Sequence, residues 1–224
     1  MRTIAKAEII LPHARIGAHV GPMPLPVEIK WMQHLSEWSF VEDWQRHLQK
    51  GSNPRANDSV EYAQQARGRW KFLREQGLAP GSLNEFEDAV RRESHADLGF
   101  ALLLASSIYD DHQQANGFAF VRRTFCNHLF LEFLAASPST EKTIKGVGTQ
   151  LLLTLALLAR RWRAAELWGE CTVVSTSFYS GLLTKAWETR QKGAAPTFAD
   201  RFVFELPDLE ALLEKPKAPL LQLE

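Results

Sequence analysis

Two glycines one residue apart, Gly146 and Gly148, stand at the head of a long apolar run in Lys145-Gly146-Val147-Gly148-Thr149-Gln150-Leu151-Leu152. A Gly-x-Gly at a helix start leaves several backbone N–H groups pointing outward with no side chain in the way. Those donors add to the positive end of the helix dipole and make an anion site suited to a pyrophosphate. The spacing excludes two common phosphate loops. A dinucleotide loop needs a third glycine where Leu151 stands, and a P-loop needs Gly-Lys-Ser/Thr, which is missing.

Other residues carry chemistry with less context. Glu132 is the one carboxylate in the apolar stretch His128 to Ala136, and burial there would raise its pKa towards that of a useful base. The competing role for Glu132 is an ion pair with Arg122 or Arg123 on a neighbouring strand. His128 shares its strand face. Asp110-Asp111-His112 reads as a solvated hairpin rather than a metal or basic-substrate site. His13, His19, His34 and His47 lack the i, i+4 ligand spacing of a helical metal site. Cys126 and Cys171 are too few for a disulfide scaffold and match no zinc spacing, so Cys171 reads as a small buried residue.

These residues need elements to hold them. Glu8 to Leu11 reads as a first strand, followed by the irregular Gly21-Pro22-Met23-Pro24-Leu25-Pro26. Apolar positions from Trp31 through Leu35, Trp38, Val41 and Trp44 to Leu48 recur at helical spacing and predict one amphipathic helix. Its Trp31/Trp38/Trp44 stripe reads as core, the alternatives being a substrate-cleft wall or a homodimer surface. A second helix is expected over Ser59 to Glu75, with Tyr62, Ala66, Trp70 and Leu73 on one side and Gly77 after its end. Ser82 with Glu85 three residues on opens a third.

The pattern then shortens. Leu98–Ile108, Phe118–Thr124 and His128–Ala136 read as three successive antiparallel strands. A helix begins at Gly148 and ends near Arg160, Arg161 and Arg163, where cations suit the negative end of the dipole. Glu166–Val174 is expected as a strand, Thr176–Trp187 as a shorter helix, and Arg201–Leu206 as a last strand. The tail from Leu213, with Pro216 and Pro219, is read as a loosely held end or a partner-docking segment. No internal repeat is visible.

Composition bounds what the chain can do. Apolar residues make up 45% and charged residues 23%, an ordinary globular balance, and 224 residues suffice for a sizeable core. Lys plus Arg and Asp plus Glu number 26 each, so there is no excess of cation to displace phosphate counterions, and no nucleic-acid partner is expected. The run Leu151 to Ala159 is too short to span a bilayer. Met1 to Glu8 has no long apolar stretch of the signal-peptide kind. A cytoplasmic protein without membrane contact is the expectation.

Taken together, Glu132-Phe133-Leu134-Ala135-Ala136, Ser139-Thr140-Glu141, Lys145-Gly146-Val147-Gly148-Thr149 and Ser175-Thr176-Ser177-Phe178-Tyr179-Ser180-Gly181-Leu182-Leu183 resemble the acetyl-CoA region of the GCN5-related N-acetyltransferases. The histone-acetyltransferase branch is the nearest likeness. The resemblance runs from about Leu98 to Phe204. The family's Gln/Arg-x-x-Gly-x-Gly/Ala has Thr143 at its first position here, the loop is two residues longer, and the family's Asn before the Phe-Tyr helix is Thr172.

The resemblance implies an α/β (α+β) acyl-CoA N-acyltransferase fold, with a mixed, mostly antiparallel central sheet and flanking helices. Residues 1–95 would be an N-terminal strand and helical segment of the same domain, 96–210 the acyl-CoA-binding core and 211–224 a tail. It implies an acyl-CoA cosubstrate, acetyl-CoA by default, and an amine acceptor, small molecule or protein. Backbone groups of Leu134, Ala135 and Ala136 would meet the pantetheine arm, and those of Lys145, Gly146, Val147, Gly148 and Thr149 the pyrophosphate. Tyr179 matches the family's general acid and Glu132 is the internal candidate for the base. The family's own base position, on the same strand, is Phe130 here. The alternative is a non-catalytic acyl-CoA-binding or interaction module.

Overall fold

A computed structural model describes residues 27–48, 54–108, 112–138, 146–172, 175–182, 201–205 and 208. The expected Glu8–Leu11 strand, Asp110, Asp111, Ser139 to Lys145 and the tail lie outside these residues.

The described chain forms a six-stranded sheet in the order β1-β2-β3-β4-β5-β6. The strands are β1 (Val27–Trp31), β2 (Leu98–Ile108), β3 (His112–Arg123), β4 (Leu129–Ala136), β5 (Glu166–Glu170) and β6 (Arg201–Glu205). Every pair is antiparallel except β4 with β5. Parallel neighbours need a crossover, and α4 (Val147–Arg161) supplies it. The sheet is thus mixed and mostly antiparallel, with helices on both faces, as expected.

Alternation along the strands sorts two cores. Leu98, Phe100, Leu102 and Leu104 of β2 with Ala119 and Val121 of β3 face α3 (Leu83–Arg92) and α4. Ala101, Leu103 and Ala105 with Phe118 and Phe120 face α1 (Phe40–His47) and α2 (Pro54–Glu75). The small β2 alanines leave room on that side for Trp38 and Trp70, both fully buried.

Helix ends follow local chemistry. Pro54 opens α2 earlier than Ser59, in a first-turn position where its missing N–H costs nothing. Gly77 after α2 has φ +71°. Ser82 Oγ accepts from Glu85 N at 3.2 Å, but the Glu85 carboxylate reaches back to Gly81 N at 2.8 Å, one residue beyond the expected partner. Arg161 and the Trp162 indole both hold Glu87, tying the end of α4 to α3.

The single amphipathic helix expected from Trp31 to Leu48 is instead strand β1, a 3-10 turn at Leu35–Ser39, and α1. Its stripe is divided between the two cores. Trp31 stacks on Phe100 at 4.7 Å and donates from Nε1 to Pro80 O at 2.9 Å, on the α3/α4 side. Trp38 and Trp44 pack against Phe118 on the opposite side. All three are buried as core residues, and Trp44 also lines a surface pocket with Phe40 and Ala115. Strand β3 also starts earlier than Phe118, because its polar beginning is carried by pairing from Ser106 to Ile108 of β2.

Candidate functional site

The β4–β5 ladder is short. It pairs Leu129 with Leu167, Phe130 with Trp168 and Leu131 with Gly169, and there it stops, while β4 runs on to Ala136. The cause sits at the next residue. The β3–β4 register passes from Phe120–Phe133 to Val121–Leu131, so Glu132 is an extra residue, a bulge that bends β4. It also reverses the alternation. Leu129 and Leu131 face α4, whereas Phe133 and Ala135 face α2. Beyond Leu131 β4 and β5 no longer pair, which leaves a gap in the ladder.

The first turn of α4 stands over this gap. Gly146 caps it with φ +85°, a left-handed conformation suited to glycine. Gln150 N donates to Gly146 O at 2.9 Å, which leaves the N–H groups of Val147, Gly148 and Thr149 as first-turn donors with no side-chain cap and no first-turn acid. The helix start is pressed onto the sheet at Gly117, where an added Cβ would lie 2.3 Å from Val147 Cγ1. Gly117 pairs with Ala136, so the donors lie at the open end of the gap. Lys145 lies outside the described residues.

Glu132 is buried, its side chain 4% exposed, between two guanidinium groups: Arg122 Nε at 3.0 Å and Arg69 Nη1 of α2 at 3.1 Å. Burial pushes its carboxyl above the ordinary range, and the two arginines oppose that shift. Its expected ion-pair partner Arg122 is in place. Arg123 is not, since it turns to the other face and donates to Ser94 O, Ala96 O and Asn127 Oδ1. Phe130 stacks on Trp168 at 4.2 Å. His128 faces Glu166 at 3.2 Å and is not joined to Glu132.

Tyr179 lies in the core on the α4 side of the sheet. Thr172 and Ser175 hold each other's backbone N–H at 2.9 and 3.3 Å and so start the helical segment 176–182. Phe178 then lies against Gly148, with 3.0 Å to an added Cβ, and Tyr179 stacks flat on Phe202 at 4.0 Å. Tyr179 is 6% exposed, and burial raises its hydroxyl pKa above the usual phenol value, with Cys171 and Tyr62 adding to the shift. Cys171 is partly buried and in no disulfide.

Two further residues complete the site. Tyr62 of α2 lies against Phe133, ring centroids 6.0 Å apart, and burial raises its hydroxyl pKa above the usual phenol value. In the sequence Tyr62 is one apolar position among several on a helix. Arg69 belongs to a polar face of the same helix. Neither carries a signal of its own, because each gains meaning only from what α2 crosses.

Among the described residues no group of His, Cys, Asp and Glu could hold a metal ion, and no helix is long and apolar enough to cross a membrane.

No family model and no curated protein matches the chain. Solved structures do. The chain is similar to the PaiA N-acetyltransferase from Thermoplasma acidophilum in complex with coenzyme A, at 18% identity over 81% of this chain and 99% of that one, TM-score 0.45. An acetyltransferase of the GNAT family from Staphylococcus aureus Mu50 matches at 11% identity over 80% and 99%, TM-score 0.44. Tetrahymena GCN5 matches at 12% over 71% and 93%, TM-score 0.35.

Proposed function

We propose that this chain binds an acyl-coenzyme A, acetyl-CoA by default, and transfers the acyl group to an amine. The observation that carries this reading is the gap between β4 and β5 beneath the uncapped first turn of α4. A thioester cosubstrate with a long polar arm needs an anion site at one end and unpaired strand backbone beside it. In this reading Val147, Gly148 and Thr149 N–H groups, with Gly146 and Lys145, hold the pyrophosphate. Backbone groups of Leu134, Ala135 and Ala136 meet the pantetheine arm. Residues 96–210 form the coenzyme-binding core and the helices before them supply one wall. Cys126 and Cys171, neither in a disulfide, are read as the reduced thiols of a cytoplasmic protein.

The reaction is direct attack. The amine nitrogen adds to the thioester carbonyl carbon, and a β4 backbone N–H stabilises the oxyanion. The carbon–sulfur bond breaks as the new carbon–nitrogen bond is kept, and Tyr179 gives its proton to the leaving thiolate. The amine proton passes to Glu132, directly or through water. A carboxyl raised by burial is a stronger base than a solvated one, while Arg69 and Arg122 pull the other way.

The second reading is a coenzyme-binding module without transfer, and the observation favouring it is the ion pairing of Glu132 to two arginines. Thermal unfolding with acetyl-CoA is the first test, since ligand at a hundred times its Kd adds about 2.7 kcal/mol. No stabilisation at saturating coenzyme would remove both readings. Thiol release with a panel of amines and peptides separates them. Activity lost in Glu132→Gln and Tyr179→Phe supports transfer by these groups, and unchanged rates would remove their assigned roles.

A further inference from the structure

Glu132 is a buried carboxylate whose hydrogen bonding is incomplete. It is the first residue of β4 beyond the last β4–β5 pair, and its side chain turns to α2, 4% exposed. Arg122 Nε stands 3.0 Å from Oε1, yet neither atom makes a hydrogen bond. The contact is therefore a charge pair that leaves a buried acceptor open. The two arginines beside it are held differently. Arg122 is fixed from several sides, since it also faces Asp97 at 3.6 Å and lies over the Phe130 ring. Arg69 reaches Glu132 Oε2 from α2 at 3.1 Å and has no other ion pair among the described residues. Its side chain is 59% exposed, so a solvent-facing guanidinium covers a buried carboxylate.

We propose that Arg69 is a displaceable plug, a positioning residue that closes the Glu132 site until the ammonium group of the acceptor takes its place. The inference rests on the transfer reading above and names the acceptor as one that arrives charged. Charge balance carries it. Glu132 and Asp97 are offset by Arg69 and Arg122, so with Arg69 turned away two carboxylates face one guanidinium. A buried carboxylate that loses one partner calls for another cation. The N–H of an ammonium group can also fill the open acceptor on Oε1, which a displaced ion without donors cannot do. Arg122 stays and fixes the carboxylate, whereas Arg69, as the exposed member of its pair, gives up little on moving into water.

The carboxyl signal of isotope-labelled Glu132, assigned by its loss in Glu132→Gln, tests this by NMR without a known acceptor. The probes are n-butylammonium chloride and, as a cation with no N–H, tetramethylammonium chloride. Butylammonium should move the signal in the wild type only weakly, and in Arg69→Gln with an affinity at least about tenfold higher, as for a site that the plug leaves open in roughly a tenth of molecules. Arg69→Lys, which keeps the charge, should bind it as weakly as the wild type. Tetramethylammonium should move the signal in none of them. Equal butylammonium affinity in the wild type and in an Arg69→Gln protein whose melting temperature shows it folded overturns the proposal. So does an Arg69→Lys protein that binds as tightly as Arg69→Gln, or an equal response to the two cations. Calorimetry with coenzyme A on the same proteins reads the coenzyme separately: absence of binding there removes the coenzyme reading, whatever the ammonium titrations show.

Discussion

Gly117 lies directly beneath Val147, so close that a Cβ on the glycine would stand 2.3 Å from Val147 Cγ1 and 2.8 Å from Ala135 O. The first residue of α4 is thus seated on the β3–β4 pair by the lack of a side chain, and this contact sets the height of the helix start above the gap.

Gly117→Ala should therefore lift α4 and strain β4 together. A loss of about 1–3 kcal/mol is expected from overpacking, accompanied by weaker coenzyme A binding. Gly99→Ala is the control, since its Cβ would press on the movable end of Leu73, at 2.5 Å, and make ordinary contact with the Phe120 ring at 3.5 Å. Denaturant unfolding and calorimetry on both variants check this. Equal effects from the two would contradict the seating role.

Gly146 tests the backbone rather than the packing. Nothing lies within 4 Å of an added Cβ there, yet φ is +85°. Gly146→Ala should cost about 1 kcal/mol from left-handed strain alone, and Gly146→Asn less, since asparagine tolerates that region. Both are read from the denaturation midpoint.

Tyr179 should separate chemistry from folding. Tyr179→Phe keeps the stack on Phe202 and should leave stability nearly unchanged, while thiol release falls about a hundredfold or more if the hydroxyl is the general acid. Tyr179→Ala removes a buried ring and should cost about 3–5 kcal/mol. Parallel measurement of kcat and melting temperature distinguishes the two outcomes.

Two carboxylates should give opposite pH dependences. The Arg161 guanidinium, helped by the Trp162 indole, holds Glu87 below the ordinary carboxylate range. Its contribution is full above the unfolded value and is lost as pH falls through the lowered one. Glu132 is raised by burial against Arg69 and Arg122. The folded state then holds the Glu132 proton more tightly, and that contribution declines as pH rises through the raised value. Stability against pH for Glu87→Gln should lose the acid-side fall, and for Glu132→Gln the decline above the ordinary range. Curves parallel to the wild type would contradict these assignments.

Much of the framework was legible in the sequence. The strand Leu98–Ile108 has the observed bounds, and the β4, α4, β5 order follows from short apolar runs and one long one. Local signals suffice for these, because burial periodicity, glycine caps and the Ser82 cap act within a few residues. Trp31 shows the limit of that reading. Its spacing to Leu35 and Trp38 fits a helix, yet the strand Val27–Trp31 wins because Trp31 completes a core with Phe100 and Phe86. Spacing alone cannot say which side of a sheet a residue will face.

The site divides the same way. Gly146, Val147, Gly148 and Thr149 were identifiable as a glycine-led helix start because the property is one of local backbone. The bulge at Glu132, its clamp between Arg69 and Arg122, and the packing of Tyr62 on Phe133 came only from the tertiary structure. Arg69 and Tyr62 are far from Glu132 and Phe133 in the chain, and one helix crossing one bent strand brings them together. An alternating pattern places Glu132 with Phe130 but cannot reveal that an extra residue turns Phe133 to the same side. Local backbone chemistry is written in consecutive residues, whereas side-chain meetings across a gap depend on where the sheet stops pairing.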